Sequence, residues 1–242
     1  VVTFTQKELK ALLKQVIFCV STDGSRPAFQ GVLFKFNQDG LIVCSSDAFR
    51  LAYKKLEIGK GPEKSLLVPG KSLKELIRLL SDEDENVSVF SAESQVVFKT
   101  DKFTFAARVL NEKYPDISGV IPSSSKTTVV ASTRELEEVV TRAALLAEGA
   151  NHSIKLTLDD NGIDVGSASQ IGQSTEIVAL ERKEGENVQL HINARFLLEG
   201  LKAVSGPKTR LCFNGANGPI LIYDDEDEDE SWFNLILPVR VG

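Results

Sequence analysis

Hydrophobic positions along this chain change period in a fixed order, and the order occurs four times. Val2-Thr3-Phe4 alternates as a short strand and leads to Thr5, with Glu8 three residues on. Threonine and glutamate at that spacing form a capping box, in which each side chain satisfies a free amide at a helix start. Leu9, Leu12, Leu13, Val16 and Ile17 follow at helical spacing and predict an amphipathic helix. After the turn Thr22-Asp23-Gly24-Ser25, residues 31–36, 41–45 and 50–56 read as strands, the first two joined by a hairpin at Gln38-Asp39-Gly40. The pattern restarts with a strand at 65–68 and a helix opened by Pro69-Gly70, whose stripe is Leu73, Leu76, Ile77 and Leu80. An acidic turn at 82–85 and strands near 87–90, 95–99 and 102–109 complete the second copy.

Two further copies follow. Residues 128–131 form a strand, Ser132 and Glu135 repeat the capping box, and Leu136, Val139, Val140, Ala143 and Leu146 make the helix face. Runs at 153–158 and 163–167 flank a hairpin at Asn161-Gly162, and 175–181 is the next strand. Residues 188–192 lead to Asn193 as N-cap of a helix carrying Phe196, Leu197, Leu201 and Val204. Strands near 210–213, 219–223 and 232–238 end the series. The chain is thus a repeat of about 120 residues, itself a repeat of about 60. One such unit leaves its sheet face and helix stripe uncovered. Two side by side bury both helices against an antiparallel sheet, an α+β layer.

Between the halves lies Tyr114-Pro115-Asp116-Ile117-Ser118-Gly119-Val120-Ile121-Pro122, followed by three serines. Two prolines and a glycine end regular structure, so this stretch reads as a connector. Its apolar residues Ile117, Val120 and Ile121 predict that it packs against something. The expected domains are residues 1–122 and 123–242, each large enough for its own core.

Composition agrees: 42% hydrophobic and 26% charged residues are those of a soluble globular protein. No apolar run approaches the ~20 residues that span a bilayer. Cys19, Cys44 and Cys212 are odd in number and set in apolar segments, which reads as buried thiols of a cytoplasmic protein and not as disulfides or metal ligands. The chain contains no methionine. It reads as a piece of something longer. The net charge of −6 owes much to Asp224-Asp225-Glu226-Asp227-Glu228-Asp229-Glu230, without which 27 carboxylates face 28 cations. Such a run repels itself and is expected to be a solvated loop.

The solvent faces of the helices carry the functional clue. Lys7, Lys10 and Lys14 recur opposite the leucines of the first helix, and Lys71, Lys74 and Arg78 recur at the same spacing on the second. The third and fourth are mixed: Arg134 and Arg142 stand with Glu137 and Glu138, Arg195 and Lys202 with Glu199. Two cationic stripes on neighbouring helices of an acidic protein would form a basic patch that attracts phosphates without reading sequence. Catalytic signatures are absent: no phosphate-binding glycine loop, nucleophile elbow, zinc-helix motif or dinucleotide fingerprint occurs. His152 and His191 have no neighbouring nucleophile. No catalytic residue, metal or cofactor is expected.

Five motifs occur in one order. They are Arg26-Pro27-Ala28-Phe29-Gln30-Gly31-Val32-Leu33-Phe34; Ser46-Asp47-Ala48-Phe49-Arg50-Leu51-Ala52; Tyr114-Pro115-Asp116 with Val120-Ile121-Pro122; Asn193-Ala194-Arg195-Phe196-Leu197-Leu198 with Leu201-Lys202-Ala203; and Leu237-Pro238-Val239-Arg240-Val241. In order and spacing the chain resembles the bacterial DNA polymerase III beta sliding clamp family. The resemblance covers essentially its whole length. It implies two tandem DNA-clamp domains, the middle and C-terminal ones of three, with the first absent. Each is a duplicated strand-helix-three-strand unit. Members pair head to tail into a ring of six similar domains around duplex DNA, helices lining the hole, so a homo-oligomeric ring is implied where the first domain is present. The DNA-facing residues would be Lys7, Lys10, Lys14, Lys71, Lys74, Arg78, Arg134, Arg142, Arg195 and Lys202. Implied partners are DNA, held without sequence preference, and DNA polymerase III subunits, the clamp loader and repair polymerases, held through short clamp-binding peptides.

Carried over by motif, the wall of the peptide pocket comprises Phe29, Ser46, Arg50, Leu51, Pro115, Val120, Asn193, Phe196, Leu235, Leu237, Pro238 and Arg240. Apolar side chains with a few polar anchors are what such a groove needs. Leu51, Val120 and Leu235 equally fit ordinary core positions. The family's usual Thr-Asp-Gly-His-Arg-Leu reads Ser-Asp-Ala-Phe-Arg-Leu here, so Ala48 and Phe49 would reshape the groove. Gly119 stands where many members have a basic residue, and Pro27 and Ala28 replace tyrosines that touch DNA in some members. The rival reading is an adaptor that keeps the peptide pocket without encircling DNA; a ring of three such chains and a spatially assembled enzyme rank behind it.

Overall fold

A computed structural model describes residues 2–59, 63–92, 94–147, 152–169 and 172–240. Val241, the end of the last motif, lies outside them. The chain divides into two units, Val1–Asp116 and Ile117–Gly242.

In the first unit, strand β1 (Val2–Thr5) runs into helix α1 (Gln6–Val16) through the predicted capping box. Glu8 N–H donates to Thr5 Oγ1 at 3.1 Å and Thr5 N–H donates to Glu8 Oε2 at 2.8 Å. Leu9, Leu12, Leu13 and Val16 are buried, each worth about 1.5–3 kcal/mol of removed apolar surface. Strands β2 (Gly31–Asn37), β3 (Gly40–Ser46) and β4 (Arg50–Leu56) follow. Next come β5 (Lys64–Pro69), helix α2 (Gly70–Leu79), β6 (Asn86–Ala92), β7 (Gln95–Lys99) and β8 (Thr104–Arg108). Leu73, Leu76 and Leu80 of the second stripe join the α1 leucines in one core with Val43, Val68 and Phe98.

The sheet of this unit is laid down as two antiparallel ladders, and each copy's leading strand belongs to its sibling's ladder. β1 pairs with β6, giving the order β1-β6-β7-β8, while β5 pairs with β2, giving β5-β2-β3-β4. The two copies are therefore interlocked.

The second unit repeats this. β9 (Thr127–Ser132) leads into α3 (Thr133–Leu146), followed by β10 (Ser153–Leu158), β11 (Ile163–Ser169) and β12 (Gly172–Val178). After β13 (Arg182–Gly185) come β14 (Val188–Asn193), α4 (Ala194–Lys202), β15 (Lys208–Phe213), β16 (Ile220–Asp224) and β17 (Trp232–Ile236). β14 pairs with β10 and β9 with β15, the same exchange of leading strands.

Four details depart from the sequence reading. β13 is unforeseen: Arg182-Lys183-Glu184-Gly185 has no apolar alternation, yet it pairs antiparallel with β9, and charge on an edge strand discourages further pairing. At Ser132 half of the capping box forms, Glu135 N–H donating to Ser132 Oγ at 3.3 Å. The last stretch of Ile17 and its neighbours is a 3-10 turn, Ile17–Cys19. The acidic run is not a free tip. Asp224 accepts from Gly206 N–H at 2.8 Å, Asp227 from Ser231 Oγ and Trp232 N–H, and Glu230 from Arg210 at 2.8 Å. Arg210 also lies over the Tyr223 ring at 4.7 Å. The charges are tolerated because an arginine and backbone donors meet them; Glu226, Glu228 and Asp229 remain exposed.

Candidate functional site

Of the ten helix cations, nine are exposed and Lys10 is half-buried. On α1, Lys7, Lys10 and Lys14 stand opposite the buried leucines, as helical geometry requires. Four of the ten are engaged by carboxylates. Lys10 Nζ lies 2.9 Å from Asp82 Oδ1, Arg78 2.9 Å from Glu75, and Arg134 2.9 Å from Glu138. Arg142 grips Glu176 on β12 with a fork of three bonds at 2.7–3.1 Å. The Lys10 ammonium holds the Asp82 carboxyl below the usual range, and Arg142 does the same to Glu176. Among the described residues, the side chains of Lys7, Lys14, Lys71, Lys74, Arg195 and Lys202 make no direct hydrogen bond or ion pair.

Glu75 and Glu138 were legible as partners at three- and four-residue helix spacing. Asp82 and Glu176 were not, since a turn and a strand far along the chain bring them in. The turn bearing Asp82 is itself fastened to α1. Gln6 and Lys7 N–H groups donate to the carbonyls of Glu85 and Glu83 at 2.8 and 3.3 Å. The Gln6 side chain, 2% exposed, donates to Glu85 at 2.9 Å and accepts from Ser81 N–H at 3.0 Å. Lys102 closes the turn from outside, 2.8 Å from Glu85.

The residues assigned to a peptide pocket fall in both units. In the first, Ser46 and Leu51 face each other across β3 and β4, and both are buried. The turn between them is closely tied. Asp47 Oδ1 accepts from Phe49 and Arg50 N–H at 3.0 and 3.1 Å, and Ser46 Oγ donates to Arg50 O at 2.7 Å. Arg50, 8% exposed, donates from Nε to Asp47 at 3.0 Å and from Nη2 to Phe18 O at 2.8 Å. Phe29 meets Tyr114 edge to face at 5.9 Å, next to exposed Pro115. Burial pushes the Tyr114 phenol up. Tyr114 was not assigned a role, although its place at the head of the connector marked it.

In the second unit Asn193 caps α4, its Oδ1 accepting from Arg195 and Phe196 N–H at 2.9 and 3.2 Å. Phe196 stays half-buried while Leu197 and Leu201 fill the core. Val239 N–H donates to His191 O at 2.8 Å, so the segment with Leu237, Pro238 and Arg240 runs beside the strand that ends in Asn193. Leu237 is exposed. Leu235 is buried with all of β17, and Leu51 is buried likewise, whereas Val120 is 53% exposed on the 3-10 turn Ser118–Val120 and is no core residue. Among the described residues no group of three or more His, Cys, Asp or Glu is placed to hold a metal ion, and no helix is long and apolar enough to cross a membrane.

Two family matches tile this architecture. Residues 3–116 match the DNA polymerase III beta subunit, central domain, and residues 118–240 its C-terminal domain. The beta sliding clamp of Bacillus subtilis is 38% identical over 237 residues, 96% of this chain and 62% of that protein. That of Halalkalibacterium halodurans is 35% identical, over 97% of this chain and 63% of its own length. The crystal structure of the B. subtilis DNA polymerase sliding clamp superposes with a TM-score of 0.94 at 36% identity, over all of this chain and 64% of that one. The DNA polymerase III beta chain of Streptococcus pneumoniae gives 0.93 at 30%. The chain thus spans under two thirds of the length of these relatives. Matched through both of its units, in sequence and in fold, it belongs to the DNA polymerase III beta subunit family.

Proposed function

We propose that this chain is the DNA-holding and partner-binding part of a cytoplasmic sliding clamp, a non-catalytic processivity factor that tethers DNA polymerase and other replication and repair proteins. The observation that carries this reading is the pair of family matches, which leaves no long stretch of the chain unaccounted for. Exposed cations on all four helices suit contact with phosphates that carries no sequence information. The partner peptide binds through the residues assigned above, with exposed Leu237 and Val120 and half-buried Phe196 supplying apolar contact. We take the two domains as residues 1–122 and 123–242, with the boundary at the end of the connector.

Titration of a fluorescent peptide carrying a glutamine and apolar residues tests the pocket. Binding is expected, with Phe196→Ala plus Arg50→Ala weakening it by about tenfold or more. Undiminished binding by the folded double variant removes the assignment. For DNA, reversal of Lys7, Lys10, Lys14, Lys71, Lys74 and Arg78 to glutamate is expected to abolish a weak, salt-sensitive association with duplex. The adaptor reading has one observation in its favour, the four cations already engaged by carboxylates. It predicts peptide binding with no such association.

A further inference from the structure

Two of the carboxylates that engage the helix cations come from outside the helices, Asp82 from a turn and Glu176 from a strand, and this sets them apart from ordinary helix-surface counter-charges. Asp82 does not simply happen to lie near Lys10. Its turn is fastened to the first turn of α1 by two backbone bonds and by both ends of the buried Gln6 side chain. Lys10 is the middle cation of its stripe, and its side chain is only 17% exposed. Glu176 is placed by its strand, β12, and takes a fork from Arg142 that spans from helix to sheet edge. Glu75 and Glu138 stand one helical turn from Arg78 and Arg134. Electrostatically, a carboxylate at such a site occupies the position a phosphate would take. If the cation stays with it, one DNA contact is lost. If the cation swings away to the DNA, the anion is left on the same surface to repel the backbone.

We propose that Glu75, Asp82, Glu138 and Glu176 are affinity-setting residues: intramolecular competitors for DNA phosphate that keep the cationic helix faces from gripping the duplex tightly. The inference rests on the helix cations being the DNA-facing set. Lys7, Lys14, Lys71, Lys74, Arg195 and Lys202 are left to attract DNA, while Lys10, Arg78, Arg134 and Arg142 are withheld. A surface with this division holds a polyanion loosely, which suits a protein that must move along it. The acids lie at the surface and the pairs are individually weak, so removing the acids leaves the fold standing.

Two quadruple variants of the whole chain decide the matter, read by fluorescence anisotropy on a short duplex over a salt series. Glu75→Gln, Asp82→Asn, Glu138→Gln and Glu176→Gln together are expected to raise affinity about tenfold or more at low salt. The log–log salt slope should steepen by about 0.9 for each cation set free. Glu112→Gln, Glu226→Gln, Glu228→Gln and Asp229→Asn change net charge equally but unpair no helix cation; they are expected to raise affinity less than about threefold without a steeper slope. Equal gains from both sets, or none from the first, overturn the proposal. Charge reversal of Lys7, Lys14, Lys71 and Lys74 in the same assay separates the two readings. If reversal leaves DNA binding intact, the DNA-facing assignment fails with everything built on it. If reversal abolishes binding and the first quadruple is silent, only the competitor role falls.

Discussion

Arg50 Nε donates to Asp47 Oδ2 at 3.0 Å, with the two side chains only 8% and 15% exposed. This pair sets the turn between β3 and β4, because the same carboxylate takes two backbone N–H groups and the same guanidinium reaches Phe18 O. Removing one member of a buried pair leaves an unpartnered charge. Arg50→Ala is therefore expected to cost about 3 kcal/mol in urea denaturation. An unchanged midpoint would show that the turn holds without it. The peptide titration proposed above must accordingly be run where the variant is folded.

Ala48 sits in that turn at φ 77°, a left-handed backbone that costs a non-glycine residue roughly 1 kcal/mol. Glycine relieves the strain but has more freedom to lose on folding, by a similar amount. Ala48→Gly should therefore range from neutral to about 1 kcal/mol stabilising. Gly40 in the preceding hairpin is the contrast. At φ 133° a Cβ would stand 2.1 Å from Leu56 O, and backbone cannot move aside cheaply. Gly40→Ala is expected to lose about 2–3 kcal/mol by thermal or chemical unfolding; equal effects at the two sites would refute the distinction.

On α4 two effects oppose each other at Gly200. Alanine gains about 1 kcal/mol of helix propensity over glycine. Its Cβ, however, would lie 2.4 Å from Asn234 Oδ1 and 2.7 Å from Ile222 Cδ1, inside a packed core. Overpacking of this kind costs about 1–3 kcal/mol, so Gly200→Ala is expected to destabilise on balance. Relief by Asn234→Ala in a double-mutant cycle would identify the clash; additive losses would point elsewhere.

Burial pushes the Cys44 thiol up to about 12. The native protein keeps this proton at pH values where the unfolded chain, with an ordinary thiol near 9, has released it. The fold thus binds more protons than the unfolded state, and stability falls as pH rises from about 9 toward 12. At neutral pH alkylation of Cys44 is expected only after unfolding. Mass spectrometry showing rapid native labelling would contradict its burial.

Much of this was readable in advance, for a local reason. The Thr5 and Glu8 cap, the leucine faces and the turn at Gly40 each depend on residues a few positions apart, so spacing alone expresses them. The fates of the pocket residues were less legible. Leu51 and Val120 are both apolar and both motif-borne, yet one is buried on β4 and the other stands exposed on a short turn. Nothing nearby in sequence distinguishes them. The acidic run is the solvated loop expected of it, but its tie to Arg210 was not legible, because Arg210, which meets Glu230, belongs to another strand.

From the sequence came the four strand-helix-three-strand copies, their core-facing positions, the cations on the outward helix faces and the family, since these reside in period, order and motif. Tertiary structure alone decided that β1 joins β6 and β5 joins β2, that Asp82 is fastened over Lys10, and that Arg50 turns inward to Phe18. A short alternating strand presents the same edge and the same apolar face to either neighbouring ladder. Which one it joins, and which carboxylate meets which cation, follows from how the whole unit closes over its core.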